Sequence, residues 1–88
     1  MRRIYAVVRP DKYLRDLRDV DRVMHHKPNT WREYQGDAKR HQKIIQMEME
    51  ELERCKSEGD HHCYVENLLH VAAACLIAHH DMTCKEYD

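Results

Sequence analysis

The sequence predicts an all-α protein, and three observations support this prediction. Residues that favour helices dominate the chain, whereas β-branched residues are sparse after the first few positions. Glycine and proline number only two each in 88 residues, so long loops are not expected. Apolar residues recur at intervals of three and four along separate segments. We therefore predict a small antiparallel bundle of about three helices, preceded by a short extended segment, that forms a homo-oligomer.

The composition limits the classes of function that the chain can have. A chain of 88 residues forms one domain with a thin hydrophobic core. The net charge is −1 although 35% of the residues are charged, which argues against nucleic acid or a membrane surface as partner. The N-terminal apolar run is too short for a signal-peptide core, and no run of about 18 apolar residues occurs. We therefore predict a cytoplasmic protein whose four cysteines are thiols.

Residues 1–88 are predicted to form a single helical domain. Its first part contains an extended segment and a helix. Residues 1–10 form the lead-in, where the sequence RIYAVV has strand propensity but no evident partner strand. Residues 11–26 have apolar positions at helical spacing, and the opposite face alternates arginine and aspartate. This pattern predicts an amphipathic helix with a solvated charged face.

A second, long helix is predicted over residues 30–56. Thr30 and Glu33 form a capping-box pattern at its start. Gly36 weakens the helical pattern locally, which makes Asp37 an alternative first residue. The apolar stripe then follows alternating steps of three and four, as in a heptad seam. Its members are Trp31, Tyr34, Ala38, His41, Ile45, Glu48, Leu52 and Cys55.

The third helix is predicted over residues 61–80 and is apolar nearly all the way round. Gly59 is expected to cap the preceding helix, and Asp60 is expected to cap this one. A helix that is apolar on most sides is buried on most sides, so it is either the central helix or a subunit interface. The short turn predicts that it lies antiparallel to the second helix.

Two polar residues, His41 and Glu48, interrupt the apolar stripe of the second helix. An antiparallel hairpin brings together residues that are equidistant from its turn. This register pairs Glu48 with His70, and it pairs Glu51 with Glu66 or Asn67. Because unpaired buried carboxylates are costly, the layer requires either a cation or hydrogen-bond donors.

The first interpretation of this layer is a divalent metal site. Its ligands would be Glu48, Glu51, Glu66 and His70, since acids and histidines on facing helices are how bundles hold metals. Structural alternatives remain open for three of the polar residues. Glu48 could turn to solvent and pair with a lysine or arginine, and His41 and His70 could be hydrogen-bonded core residues.

The segment 48–78 resembles the core of the MazG-like all-α nucleotide pyrophosphohydrolases, including their short phage-type members. The sequence EMEE at 48–51 matches the E-x-x-E motif of that family, and the turn at 58–60 reads Glu-Gly-Asp. The alanine-rich helix that follows is also similar. The second motif differs, because Asn67 and His70 stand where the family has glutamate and aspartate.

The resemblance implies a nucleotide or small phosphate ligand and a divalent metal, Mg²⁺ or Mn²⁺. The metal would be held by Glu48, Glu51 and Glu66, with His70 as ligand or catalytic base. His41 and Asn67 would contact the ligand. Loss of two carboxylates from the second motif predicts loss of the metal, weaker metal binding, or a preference for Mn²⁺, Fe²⁺ or Zn²⁺. The site could then keep a nucleotide-shaped pocket without catalysis.

The sequence therefore predicts three alternative functions. The first is a metal-dependent hydrolase that splits a nucleoside triphosphate into a monophosphate and pyrophosphate. The second is a nucleotide-binding module without turnover on the same scaffold. The third is a non-catalytic viral or mobile-element protein whose apolar last helix forms an oligomer or docks onto a host protein.

Overall fold

A computed structural model of the protein describes residues 10–87, with side chains from 12 to 84. The predicted lead-in, residues 1–10, lies outside this range except for Pro10. Within residues 10–87 the secondary structure consists of helices and turns and contains no strand. The all-α prediction is therefore confirmed.

The described chain contains three α-helices and two 3₁₀ helices. A 3₁₀ helix, Pro10–Tyr13, leads into α1, Leu14–His25. A second 3₁₀ helix, Asn29–Tyr34, precedes α2, Arg40–Glu58, and α3, His61–Tyr87. Helix α3 packs against both α1 and α2 and is therefore the central helix. In the described range, no helix has the length and apolar character needed to span a bilayer.

The predicted long helix 30–56 is divided into two parts. The segment around Thr30 forms a 3₁₀ helix that begins at Asn29 without a side-chain cap, so the predicted capping box is wrong. Gly36 adopts a φ of +86°, a left-handed conformation that interrupts helical geometry and redirects the chain. Helix α2 consequently begins at Arg40, later than either predicted start.

The turn between α2 and α3 has the predicted caps. Gly59 adopts a φ of +70° and donates its backbone N–H to the carbonyl of Lys56 at 3.1 Å. Asp60 accepts a hydrogen bond from the backbone N–H of Cys63 at 3.0 Å. These local interactions end one helix, start the next, and produce the hairpin.

A disulfide between Cys55 and Cys63 crosslinks the hairpin beside this turn, with a Cα–Cα distance of 5.6 Å. The prediction of four thiols is therefore wrong for these two cysteines, while Cys75 and Cys84 are free. The two bridged residues are the same number of positions before and after Gly59. The antiparallel register, which the sequence alone predicted, is what brings their sulfurs together.

The hydrophobic core lies where α1 and the second 3₁₀ helix meet α3. Its buried members are Val20, Val23, Trp31, Ala73 and Ala74. The two alanines are at most 3% exposed, and their small side chains let the larger residues approach the helix closely. This contact fixes the position of Trp31, which also lines the site described below.

Helix α3 is less buried than its composition predicts. Val65, Leu68 and Leu76 are 44%, 45% and 47% exposed. The reason is that α1 and α2 cover only one side of the helix, so residues on the opposite side meet no partner within the described chain. The helix also continues beyond the predicted residue 80 and ends at Tyr87.

Candidate functional site

Glu48 is buried in the hairpin, with 3% of its surface exposed. Its Oε1 accepts a hydrogen bond from Nε1 of Trp31 at 2.8 Å. Its Oε2 lies 3.4 Å from Nδ1 of His70. The predicted pairing of Glu48 with His70 is thus observed, whereas the alternative in which Glu48 turns to solvent is not. The buried carboxylate is satisfied by protein groups on two other elements.

The other predicted metal ligands, Glu51 and Glu66, and the predicted ligand-binding residue Asn67 each have a separate partner. Glu51 accepts a hydrogen bond from Arg54 at 2.7 Å, and Glu66 lies 3.5 Å from Arg22. Asn67 donates its side-chain amide to the sulfur of Cys55 at 3.1 Å. Among the described side chains, no group of three or more His, Cys, Asp or Glu residues is arranged to hold a metal ion. The layer therefore joins Glu48 to His70 without assembling the full predicted ligand set.

The Arg54 hydrogen bond lowers the pKa of the Glu51 carboxyl below its ordinary value of 4.5. We expect an NMR pH titration to give a Glu51 midpoint below 4.5, the ordinary value of a glutamate carboxyl. Because the pKa is depressed in the folded state, this pair stabilises the fold above the unfolded pKa, and its contribution is lost as the pH falls through the folded pKa. Replacing Arg54 with methionine should raise the Glu51 midpoint, and an unchanged midpoint would contradict this assignment.

His41 contacts the last part of α3. Its Nε2 lies 3.2 Å from Oδ2 of Asp81, and Arg40 lies 3.7 Å from the same oxygen. The distance suits an ion pair, but the Nε2 atom is buried and makes no geometrically acceptable hydrogen bond. His41 and Asp81 are therefore in contact, without hydrogen-bond geometry between them.

A cleft of about 780 Å³ opens beside His41. Its walls come from the end of α1, the second 3₁₀ helix, the start of α2 and the second half of α3. The volume lies within the range of small-molecule sites. Its lining consists of Met24, His25, His26, Lys27, Pro28, Asn29, Trp31, Arg32, Gln35, Arg40, His41, Ile44, Ala74, Ile77 and Asp81.

The charges around the cleft are mostly positive. The described lining residues include three cations, three histidines and one acid. The cations are Lys27, Arg32 and Arg40, and the acid is Asp81. Arg40 is close to Asp81, but no described side chain forms an ion pair with Lys27 or Arg32. A concave surface lined by one sign of charge concentrates ligands of the opposite sign, so this cleft favours an anion.

The inner wall of the cleft is apolar and includes an aromatic ring. Trp31, Ile44, Ala74 and Ile77 line it, and Trp31 is 7% exposed. The hydrogen bond to Glu48 fixes the orientation of the indole. Glu48 therefore supports the cleft indirectly, although it does not line it. The combination of an apolar wall and a basic rim suits an anion that also carries an apolar or planar group.

His41 was predicted from the sequence to contact a ligand, whereas the other cleft residues were not. Lys27, Arg32 and Arg40 lie on three different elements, and no motif connects them. The available signal was the clustering of basic residues and histidines at 25–27 and 40–41, on either side of Trp31. These two clusters indicate a common site only once the turn at Gly36 is known, because that turn brings them together.

Comparison with known proteins gives no further assignment. No protein-family model, curated protein or solved structure matches this sequence. The functional interpretation therefore depends on the residues of the cleft and of the buried layer next to it.

Proposed function

We propose that the protein binds a nucleotide, or a similar phosphate ligand with a planar group, in this cleft. The observation that carries the proposal is a combination of two features in one cleft. Lys27 and Arg32 are cations without a described ion-pair partner, and Trp31 is part of the apolar wall. Phosphate groups interact strongly with arginine and lysine, and a planar base gains by contact with aromatic and aliphatic side chains.

Each part of the ligand has a counterpart in the cleft. The phosphates would interact with Lys27, Arg32 and Arg40, and the base would lie against Trp31 and Ile77. His41 is already close to Asp81, so it is suited to orient that carboxylate or to contact the ligand directly. This division of polar rim and apolar wall is typical of small-ligand sites.

The proposal is binding without turnover, the second of the three functions predicted from the sequence. The hydrolase hypothesis requires Glu48, Glu51 and Glu66 to hold Mg²⁺ or Mn²⁺. In the structure Glu48 is hydrogen-bonded to Trp31, while Glu51 and Glu66 are paired with arginines. Metal binding would have to replace these interactions, whereas the cleft is open to a ligand as it stands. The resemblance to the MazG-like enzymes remains a prediction.

The test is a titration of nucleoside mono-, di- and triphosphates, with inorganic phosphate as reference, with and without Mg²⁺ and Mn²⁺. We expect calorimetry to show binding that is tighter for nucleotides than for phosphate and weaker at high salt. Replacing Lys27 and Arg32 together with glutamine should weaken nucleotide binding at least about tenfold, equivalent to ~1.4 kcal/mol. Chromatography after long incubation should recover the nucleotide unchanged.

A matched control replaces Arg18 and Lys56, two exposed basic residues outside the cleft, with glutamine. This variant has the same net charge as the cleft variant, and we expect it to bind nucleotide as the wild type does. Equal weakening in both variants would mean that only the overall charge attracts the ligand. Metal-dependent release of pyrophosphate would instead support the hydrolase hypothesis.

The exposed face of α3 supports a second candidate function, self-association. Val65, Leu68 and Leu76 are exposed on this face, and the two leucines lie symmetrically about Ala72, which is half-buried against the core. A two-fold interface must be self-complementary, and this pattern would place Leu68 of one copy against Leu76 of the other. From Asn67 to His80 the helix has no Asp, Glu, Lys or Arg, so two copies meet without like-charge repulsion.

Sedimentation of the wild type should show a monomer–dimer equilibrium. Replacing Leu68 and Leu76 together with glutamate should weaken dimerisation more than tenfold, because four like charges would meet at the interface. Replacing the exposed pair Glu53 and Lys56 with alanine is the control and should leave the equilibrium unchanged. A wild-type protein that stays monomeric at high concentration would exclude the second copy and leave a host protein as the remaining partner for this face.

A further inference from the structure

The two bridged cysteines differ in their access to solvent. Cys55, near the end of α2, is completely buried, whereas Cys63, in the first turn of α3, is partly exposed. A reagent in solution can therefore reach the sulfur of Cys63 more readily than that of Cys55. This difference matters because thiol–disulfide exchange depends on which sulfur is accessible to attack.

Several groups around Cys63 would stabilise a thiolate. Asn67 has its amide nitrogen 3.4 Å from the sulfur of Cys63, and Arg54 approaches the same sulfur at 4.0 Å. The N-terminus of α3 adds the positive end of a helix dipole. The acids nearby oppose this effect: Asp60 caps the helix, and Glu51 and Glu58 share the charge of Arg54.

We propose that Cys55–Cys63 is a redox-active disulfide that exchanges with small-molecule thiols and disulfides such as glutathione. Cys63 is the attacking cysteine, and Cys55 is the resolving cysteine. Asn67 is a positioning residue that donates to both sulfurs. This site lies at the hairpin turn and is independent of ligand binding in the cleft.

The exchange consists of two steps, in which atoms and electrons balance. In the oxidising direction, the Cys63 thiolate attacks one sulfur of a small disulfide, whose S–S bond breaks and releases one thiolate. Cys55 then loses its proton to solvent and attacks the sulfur of Cys63, which breaks the mixed disulfide and releases the second thiolate. Two cysteine thiols are oxidised and one small disulfide is reduced to two thiols. Reduction follows the same steps in reverse.

The test uses the reduced protein with glutathione disulfide as probe, in a background where Cys75 and Cys84 are serine. We expect the background protein to form the internal disulfide with only a transient adduct. The Cys55→Ser variant should accumulate a stable glutathione adduct on Cys63, detected by mass spectrometry. The Cys63→Ser variant should react at least about tenfold more slowly, because Cys55 is buried. Circular dichroism verifies that each variant is folded, and Cys55→Ala replaces Cys55→Ser if that variant does not fold.

A thiolate titration at 240 nm separates this role from a purely structural crosslink. In the Cys55→Ser variant, the midpoint for Cys63 should lie below the ordinary thiol value of about 8.5. Replacing Asn67 with leucine should raise that midpoint and slow formation of the adduct. A reference protein that retains only Cys75, an exposed free cysteine, gives the rate for comparison. The proposal is overturned if Cys63 reacts no faster than Cys75, or if its midpoint is at or above 8.5.

Discussion

Replacing Glu48 with leucine is expected to lower the free energy of unfolding by about 3 kcal/mol, the upper end of the cost of leaving a buried hydrogen-bonding group without its partner. The carboxylate is 3% exposed and accepts the indole N–H of Trp31 at 2.8 Å. Leucine would leave that N–H unsatisfied and would remove the partner of His70, which lies 3.4 Å from Oε2. Urea denaturation followed by the fluorescence of Trp31, the only tryptophan in the chain, measures the change.

Two further variants make this prediction specific. Glu48→Gln retains an oxygen that can accept the indole N–H, so we expect a smaller loss of about 1 kcal/mol. Glu50→Gln is the matched control, because Glu50 is exposed on the same helix and, among the described side chains, accepts a hydrogen bond only from Gln46. Its effect should stay within about 0.5 kcal/mol. If Glu48→Leu cost no more than this control, the Trp31–Glu48–His70 layer would not stabilise the fold.

Reducing the disulfide is expected to lower the free energy of unfolding by about 2.5 kcal/mol. The bridged cysteines are separated by 8 positions, and closing a loop of that length removes conformational entropy from the unfolded chain by roughly this amount. Urea denaturation with and without dithiothreitol measures the difference. The same loss is expected for Cys63→Ser in the absence of reductant.

The control for this prediction is Cys75→Ser. Cys75 is exposed and free, so its replacement should change stability by less than about 0.5 kcal/mol and should leave the response to reductant intact. Identical unfolding curves for the oxidised and reduced wild type would show that the crosslink does not constrain the unfolded chain. Because Cys75 and Cys63 both lie on α3, the comparison isolates the crosslink from the loss of one sulfur.

Interactions that are close in sequence could be predicted for this protein. The caps at Gly59 and Asp60 depend on residues within one turn of each other, and both are present. The antiparallel register follows from a two-residue turn, and it correctly paired Glu48 with His70. The predicted helix 30–56 wrongly continued through the turn at Gly36. An apolar stripe at helical spacing also fits a 3₁₀ helix followed by an α-helix, so the stripe did not reveal the turn.

The partners of individual polar groups could not be predicted in the same way. Glu51 and Glu66 were expected to converge on a metal, yet Arg54 and Arg22 are their partners. Long arginine side chains reach several neighbours, and the choice among them depends on how the helices cross. The disulfide was not predicted, because a cytoplasmic location favours free thiols. The antiparallel register nevertheless places Cys55 opposite Cys63.

The sequence by itself determined the helical class, the turn at Gly59 and the layer that joins α2 to α3, because these depend on local propensity and on one short connection. Only the tertiary structure decided where the cleft lies. Its cations, Lys27, Arg32 and Arg40, come together because Gly36 turns the chain and Trp31 packs against α3. Their proximity depends on contacts between distant segments, which periodicity within a single helix does not encode.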